Sequence, residues 1–531
     1  MNKRLFDTKG RTDATDTRNL AGGKAYSRSQ EGALAQYGLT GVFADHFYAD
    51  ARFQLDTVLK LLKGADDAYV AQLAVYARRD GYMKDMPSFL VAWLAAQKSP
   101  YFEFAFRRVI DNGKMLRNFV QYIRSGVLGR KSFGSRIKRE LQRWFAVRDA
   151  YGLMRAVPGN EPALADIVKM VHPPAGDHKA FYAWLLGKEL NERENGWFVK
   201  TRDGWRKLPE LVSNFEDFKR YDVEAPDVPF QLLTGMELDD KYWKDIARNA
   251  KWMMTRMNLN TFDRHGVFKD KGLVKMIADR LRDPNEIRRA RQFPYQLLAA
   301  YVNATEIPGE IREALQDAME VATENVPDLG RVNVIVDVSG SMSCPITGWG
   351  GYGRGGKSSS IRCVDVAGLF ASTILRKNKL STVLPVDTSV HGCNLNPRDS
   401  VITNAQKLAR YGGGGTALSI GMRHLNAHKA EGKLVVIVSD NESWADRGYR
   451  CGTGVMAEFE TYRRRNKNAK LVLIDIWASK DTQAKTRKDV LNVGGFSDQV
   501  FKVIEAFVNG DLEGDHLPNK IRSSVELKVE K

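Results

Sequence analysis

An aspartate and two serines alternate in the segment Asp337-Val338-Ser339-Gly340-Ser341. Alternate residues of an extended chain point the same way, so the carboxylate and both hydroxyls face one side, and Gly340 permits a sharp turn among them. Two more oxygen donors stand in comparable settings. Thr416 follows the four glycines Gly412, Gly413, Gly414 and Gly415, and Asp440 follows the apolar run Leu434–Val438 and Ser439. Two carboxylates, three hydroxyls and retained waters make a hard oxygen shell that suits one divalent cation, Mg²⁺ or the similarly sized Mn²⁺. Ca²⁺ is less well served, because it favours more carboxylates. Alone, D-x-S-x-S is short enough to be a simple turn; the elements that carry these residues decide the matter.

Those elements are short buried strands. Val332–Val336, Leu434–Val438 and Leu471–Ile474 are β-branched or aliphatic runs, separated by helical stretches such as Val364–Arg376 and Gly454–Arg465. Strands that alternate with helices predict a doubly wound parallel sheet covered on both faces. In such a sheet, ligands bind beyond the carboxyl ends of the strands. Asp337 and Asp440 end two strands, and Gly412–Gly415 presents Thr416 at the start of a helix, so all five residues are predicted to meet at that edge. Upstream of about Asn325 the rhythm is helical. Tyr69, Val70, Leu73, Tyr76 and Ala77 form one stripe, and Leu116, Phe119, Val120, Ile123 and Val127 form another. Helices with short connections and no fixed repeat predict an irregular α-solenoid. We therefore divide the 531 residues into a polar segment at 1–28, a helical region at 29–328 and an α/β domain at 329–531.

The balance of 81 basic against 64 acidic side chains, net +17, favours a polyanionic partner. No apolar run approaches the roughly 20 residues of a membrane span, and the polar N-terminus has no secretory h-region. Cys344, Cys363, Cys393 and Cys451 form no C-x-x-C pair, as expected of reduced thiols in a cytoplasmic protein. The basic surplus is concentrated: Arg107–Arg148 holds twelve Lys or Arg against Asp111 and Glu140. Within it, 134–145 reads as an amphipathic helix with Ile137, Leu141, Trp144 and Phe145 on one face. Arg136, Arg139 and Arg143 fall nearly opposite, where with Lys131 and Lys138 they would track phosphates; the alternative is an ordinary solvated face. Trp93, Phe104, Phe106 and Trp144 keep helical spacing and are expected in the core. The Gly-rich stretch Gly348–Ser360 reads as a mobile loop or a contacting arm, and its glycines do not open a helix after a strand, which excludes a dinucleotide site.

The five metal-site residues fall without substitution on the signature of the von Willebrand factor A domain and its metal-ion-dependent adhesion site, with Asn441-Glu442 where many such domains place glycine. Together with the basic helical half, the stretch Trp243–Leu259, Ala290–Leu298, Ser439–Ser443 and Tyr462-Arg463-Arg464-Arg465, the chain resembles the Ro ribonucleoprotein autoantigens and their bacterial relatives, the TROVE-module proteins. That resemblance implies a ring of HEAT-like helical repeats closed by the A domain. It implies small noncoding Y-like RNA on the outer basic face and single-stranded 3′ ends of misfolded or precursor RNA in the central hole. It also implies work alongside an exoribonuclease such as polynucleotide phosphorylase. Ile167–Pro173 is similar to the segment whose histidine lines that hole, which assigns RNA contact to Lys169 and His172; a histidine before proline is otherwise a cap or packing residue.

The expected function is that of a non-catalytic RNA scaffold. The alternative is a protein-interaction or co-chaperone module whose metal captures a partner's carboxylate. A nuclease is disfavoured, because a hydroxyl-rich single-metal shell offers no evident base.

Overall fold

Strands of five or six residues, most of them followed by a helix, assemble as the apolar runs require. In the computed structural model the described residues are 13–529, apart from 42, 235, 291–293, 325, 347–360, 450, 498 and 513. The Gly-rich stretch at 348–360 thus lies outside the described residues. The chain forms two compact units. One comprises Met1–Met86, Arg282–Thr305 and Glu313–Glu526; the other comprises Pro87–Leu281, Glu306–Arg312 and Leu527–Lys531.

In chain order, β1 (Thr17–Arg18) and β2 (Lys24–Ser27) form a hairpin of the first unit, and β3 (Leu190–Arg193), β4 (Gly196–Thr201) and β5 (Gly204–Lys207) form an antiparallel meander in the second. β6 (Val332–Asp337), β7 (Thr382–Val386), β8 (Leu434–Ser439), β9 (Lys470–Asp475) and, after the short β10 (Asp481–Thr482), β11 (Val490–Gly494) follow in the first unit.

The first unit is built on a parallel sheet of order β11-β9-β8-β6-β7. Every residue of β6 and β8 is buried, as expected of central strands covered on both faces. The edge strands β7 and β11 escape the sequence pattern, since one contains Pro385 and the other Asn492; proline is tolerated at an edge because a donor can be missing there. Asp481 and Thr482 of β10 pair antiparallel with Ser27 and Tyr26 of β2. Arg28, just beyond, donates to Asp475 at 2.6 Å at the end of β9, with the two side chains 3% and 2% exposed. Tyr69, Val70, Leu73, Tyr76 and Ala77 of the helix Asp67–Arg79 are buried as their spacing predicts.

The second unit is helical apart from the meander. Asn112 caps the helix Gly113–Arg124, which buries Met115, Leu116, Phe119, Val120 and Ile123. The stripe stops there: Gly126 takes φ +84° and Val127, expected to continue it, is exposed. Trp93, Phe104, Phe106 and Trp144 are core residues. The helical rhythm of this half does not predict the meander. Its two turns carry Asn195-Gly196 and Asp203-Gly204, with both glycines at positive φ, a local hairpin signal that the surrounding helical rhythm masks.

Removing one partner of a buried ion pair strands the other charge. Arg28→Met should therefore destabilise the first unit by roughly 3–5 kcal/mol, read as a lower urea midpoint; an unchanged midpoint would show that Asp475 does not depend on Arg28.

Candidate functional site

β6 delivers Asp337 to the carboxyl edge of the sheet, and the neighbouring β8 delivers Asp440 beside it. Asp337, Ser339, Ser341, Thr416 and Asp440 are all 3% exposed or less. Asp337 Oδ1 accepts from the Ser339 amide at 2.9 Å and Oδ2 from the Ser439 hydroxyl at 2.5 Å. The Ser339 and Ser341 hydroxyls lie 3.2 Å apart. Hydrogen bonds tie the three loops together: the Gly340 amide donates to Gly414 O at 3.1 Å, and the Ser443 hydroxyl donates to Thr416 O at 3.2 Å. The third loop explains the departure from glycine. Asn441 has φ +68°, a left-handed conformation that asparagine tolerates. Its side chain fixes that turn by donating to Thr482 Oγ1 at 3.2 Å and accepting from the Gln483 amide at 3.1 Å.

The two carboxylates are buried close together and raise each other's electrostatic cost. Burial, then the charge of Asp337, pushes Asp440 up to about 7, and burial also raises Asp337. The Asp440 Oδ2 atom is buried with no hydrogen-bond partner. Among the described residues no group of three His, Cys, Asp or Glu is placed to hold a metal, so the hydroxyls must complete the shell. An orphaned carboxylate oxygen, paired like charges and adjacent hydroxyls fit one Mg²⁺ or Mn²⁺ ion, which these five residues would hold.

Three further residues belong to the surroundings. Asp387, at the loop after β7, packs against Gly414, where a β-carbon would lie 2.8 Å from Asp387 Oδ2, and its charge helps to raise Asp337. Glu442 accepts from the Ala21 amide at 3.0 Å and is pushed up to about 9 by burial, then by Asp481 and Asp440. Tyr48 comes from the connection between the helices Gln30–Thr40 and Ala51–Leu62; its hydroxyl interacts with the Ser341 side chain, and burial and then the Asp440 charge raise it. His46 anchors this connection by stacking on Trp477 at 4.6 Å and accepting from the Tyr48 amide at 3.3 Å. No local motif marks Tyr48, because it lies almost 300 residues from Ser341; Asp387 and Glu442 were readable only as strand-end acids.

The residues expected to contact RNA lie in the second unit. The helix Gly134–Ala146 buries Ile137, Leu141, Trp144 and Phe145 and leaves Arg139 and Arg143 exposed and Lys138 half-buried, with Lys131 exposed just before it. Arg136 departs from expectation: both its Nε and Nη2 donate to Glu103, and Nη1 donates to Lys98 O at 3.0 Å. It clamps two helices instead of facing solvent. Arg107 is likewise bound to the buried Glu140 at 2.8 Å, and Arg148 lies 3.6 Å over the Trp144 ring. Much of the local basic surplus is therefore internal wiring. Gln142 donates to the carbonyls of Val171 and His172 at 2.8 and 3.0 Å, which joins this helix to the end of Leu164–Val171. Lys138 and Arg139, one turn before Gln142, thus share a neighbourhood with His172, an exposed residue at φ +50° that caps its helix. Lys169 is exposed and 3.7 Å from Asp166.

A helical unit joined in one chain to a parallel-sheet domain with an Asp-Ser-Ser-Thr-Asp edge defines the class of the protein: residues 216–325 match the TROVE domain, and residues 331–508 match the Ro60 vWA domain. Together the two matches span more than half of the chain. The chain belongs to the Ro family, in which a TROVE domain precedes a vWA domain. It is 23% identical over 537 aligned positions to the RNA-binding protein RO60 of Deinococcus radiodurans, covering 94% of this chain and 97% of that one. The crystal structure of the Deinococcus radiodurans RO (RSR) protein has the same fold, with a TM-score of 0.58 at 18% identity over 91% of this chain and 100% of that one.

The raised pKa of Asp440 would make metal binding at this edge pH-dependent with a defined sign. In chelator-treated protein, a carboxyl with a folded pKa above its unfolded value of about 3.9 supports folding fully below that value. It loses this contribution as pH rises through the folded pKa. Thermal stability should thus fall between about pH 4 and 7, and saturating Mg²⁺ or Mn²⁺ should restore it at pH 8 and not at pH 5, since the cation must displace the proton. The metal-dependent rise should vanish in Asp440→Asn. Equal rises at both pH values, or a rise that survives the substitution, would contradict the assignment.

Proposed function

We propose that this protein is a non-catalytic RNA scaffold of the cytoplasm. It carries a Y-like small noncoding RNA on the cationic surface of its helical unit, holds single-stranded 3′ ends of misfolded or precursor RNA, and presents them to an exoribonuclease such as polynucleotide phosphorylase. One observation carries the reading: among the described residues Lys138, Arg139 and Arg143, on one helix, and Lys131, just before it, have no carboxylate partner, and Gln142 fastens that helix beside His172. The name of the Deinococcus relative, an RNA-binding protein, supports the same reading. Cations on a helix face meet phosphates and release counterions, so affinity falls steeply with salt.

The metal site serves this scaffold as a docking point. An Mg²⁺ ion held by Asp337, Ser339, Ser341, Thr416 and Asp440 would supply a positive centre for a carboxylate of a protein partner. The second reading, a protein-interaction or co-chaperone module, makes that capture the primary function; it is favoured by the hydroxyl-rich shell, whose two carboxylates leave the cation with residual positive charge. The same shell offers no general base placed for phosphoryl transfer.

Filter binding of a structured small RNA across salt concentrations separates the readings. The paired substitutions Arg139→Ala and Arg143→Ala should weaken binding about tenfold or more and reduce the salt slope by about 1 to 2. Arg136→Ala should instead lower thermal stability, because it leaves Glu103 without its clamp. RNA affinity that is absent or independent of salt would favour the protein-interaction reading.

A further inference from the structure

The β3–β5 meander of the second unit has two unlike faces. On β4, Trp197 and Val199 are 5% and 0% exposed and pack towards the helices Lys179–Leu185 and Glu210–Phe218, with the Trp197 indole donating to Asp217 Oδ1 at 2.6 Å. Strand alternation turns Phe198 and Lys200 the other way. The register sets Asn191 and Lys207 beside Phe198, and Trp205 beside Lys200. Phe198 and Trp205 are therefore diagonal neighbours on adjacent strands, about 7–8 Å apart as such pairs are. Both are half-buried on a face whose other side chains, Asn191, Arg193, Lys200 and Lys207, are exposed.

The charges on this face are arranged around the rings. The Arg193 guanidinium lies 4.4 Å from the Phe198 ring centroid and 5.8 Å from that of Trp205, and Lys200 Nζ lies 6.0 Å from Trp205. Among the described residues neither Arg193 nor Lys207 is paired with a carboxylate. Lys200 meets Glu189 at 3.0 Å, but both side chains are about three-fifths exposed, so the pair is weak and exchangeable. The remaining acids are elsewhere. Glu192 accepts from the Tyr221 hydroxyl at 2.5 Å on the opposite side, Asp203 in one turn is held by Lys179, and Glu194 lies in the other turn.

We propose that this face is a platform for single-stranded RNA, separate from the cationic helix Gly134–Ala146. Two aromatic rings on neighbouring strands offer stacking surfaces to unpaired bases, and Arg193, Lys200 and Lys207 meet the phosphates between them. Stacking on aromatic rings selects unpaired bases, because a duplex keeps its bases stacked inside. A protein ligand would need apolar area, and this face offers two partly covered rings ringed by cations. The proposal rests on the RNA-scaffold reading above and gives the 3′-end arm of that reading a second site.

The test is fluorescence anisotropy of a labelled ten-uridine RNA on the full chain, beside a structured small RNA. Phe198→Ala with Trp205→Ala should weaken the uridine strand about tenfold or more and change the structured RNA by less than about threefold. Trp205→Phe, which keeps a ring, should retain most of the affinity. If the alanine variant loses its circular-dichroism melt, Arg193→Gln with Lys207→Gln replaces it; that surface variant should weaken the uridine strand several-fold and lower the salt slope by about 1 to 2. Structured RNA bound normally, with uridine affinity unchanged in the variant that folds, overturns the platform and leaves the scaffold reading standing, whether the face is then structural or a protein contact. Failure to bind either RNA overturns the scaffold reading itself.

Discussion

Asp337 and Asp440 stand on adjacent parallel strands, buried at the same sheet edge, with no basic side chain paired to either among the described residues. Two like charges out of water cost the fold more than any neighbouring hydrogen bond returns. The surrounding loops are organised by that constraint. Ser339, Ser439 and the Glu442 amide donate to the carboxylates, the glycine loop is drawn in through Gly340 and Gly414, and Asn441 bends in the left-handed region so that Asp440 faces inward. An edge held this tightly would receive the proposed cation with little rearrangement.

The helical unit handles charge by a different rule. Arginines that count towards the basic surplus are engaged internally: Arg107 on Glu140 and Arg136 on Glu103 fasten helices, and Arg148 covers Trp144. Burial pushes Arg148 down to about 10, which marks it as a packing residue. Among the described residues, a smaller, localised set of cations has no carboxylate partner, and those few would give a polyanion specificity of place. The metal edge and the cationic helix belong to different compact units, so they can serve different ligands.

The parallel sheet was legible because its central strands are buried on both faces and read as unbroken aliphatic runs, and the five edge residues were legible because each follows a strand or a glycine loop. The helical stripes were equally plain until a glycine ended one before Val127. Hidden were features whose logic is not local. Arg136 looks like a surface residue until Glu103, 33 positions earlier, takes its guanidinium. Tyr48 approaches Ser341 only through the fold. β2 finds β10 across more than 450 residues. The meander was the exception, since its Asn-Gly and Asp-Gly turns were printed in the sequence and were outweighed by the helical pattern on either side.

Ultraviolet crosslinking of the native protein to the RNA that copurifies with it, followed by mass spectrometry of the crosslinked peptides, tests the central claim most directly. The account predicts RNA adducts on peptides that span 131–146 and 169–172. Adducts confined to 331–508, or a purified protein that carries no RNA, would contradict it.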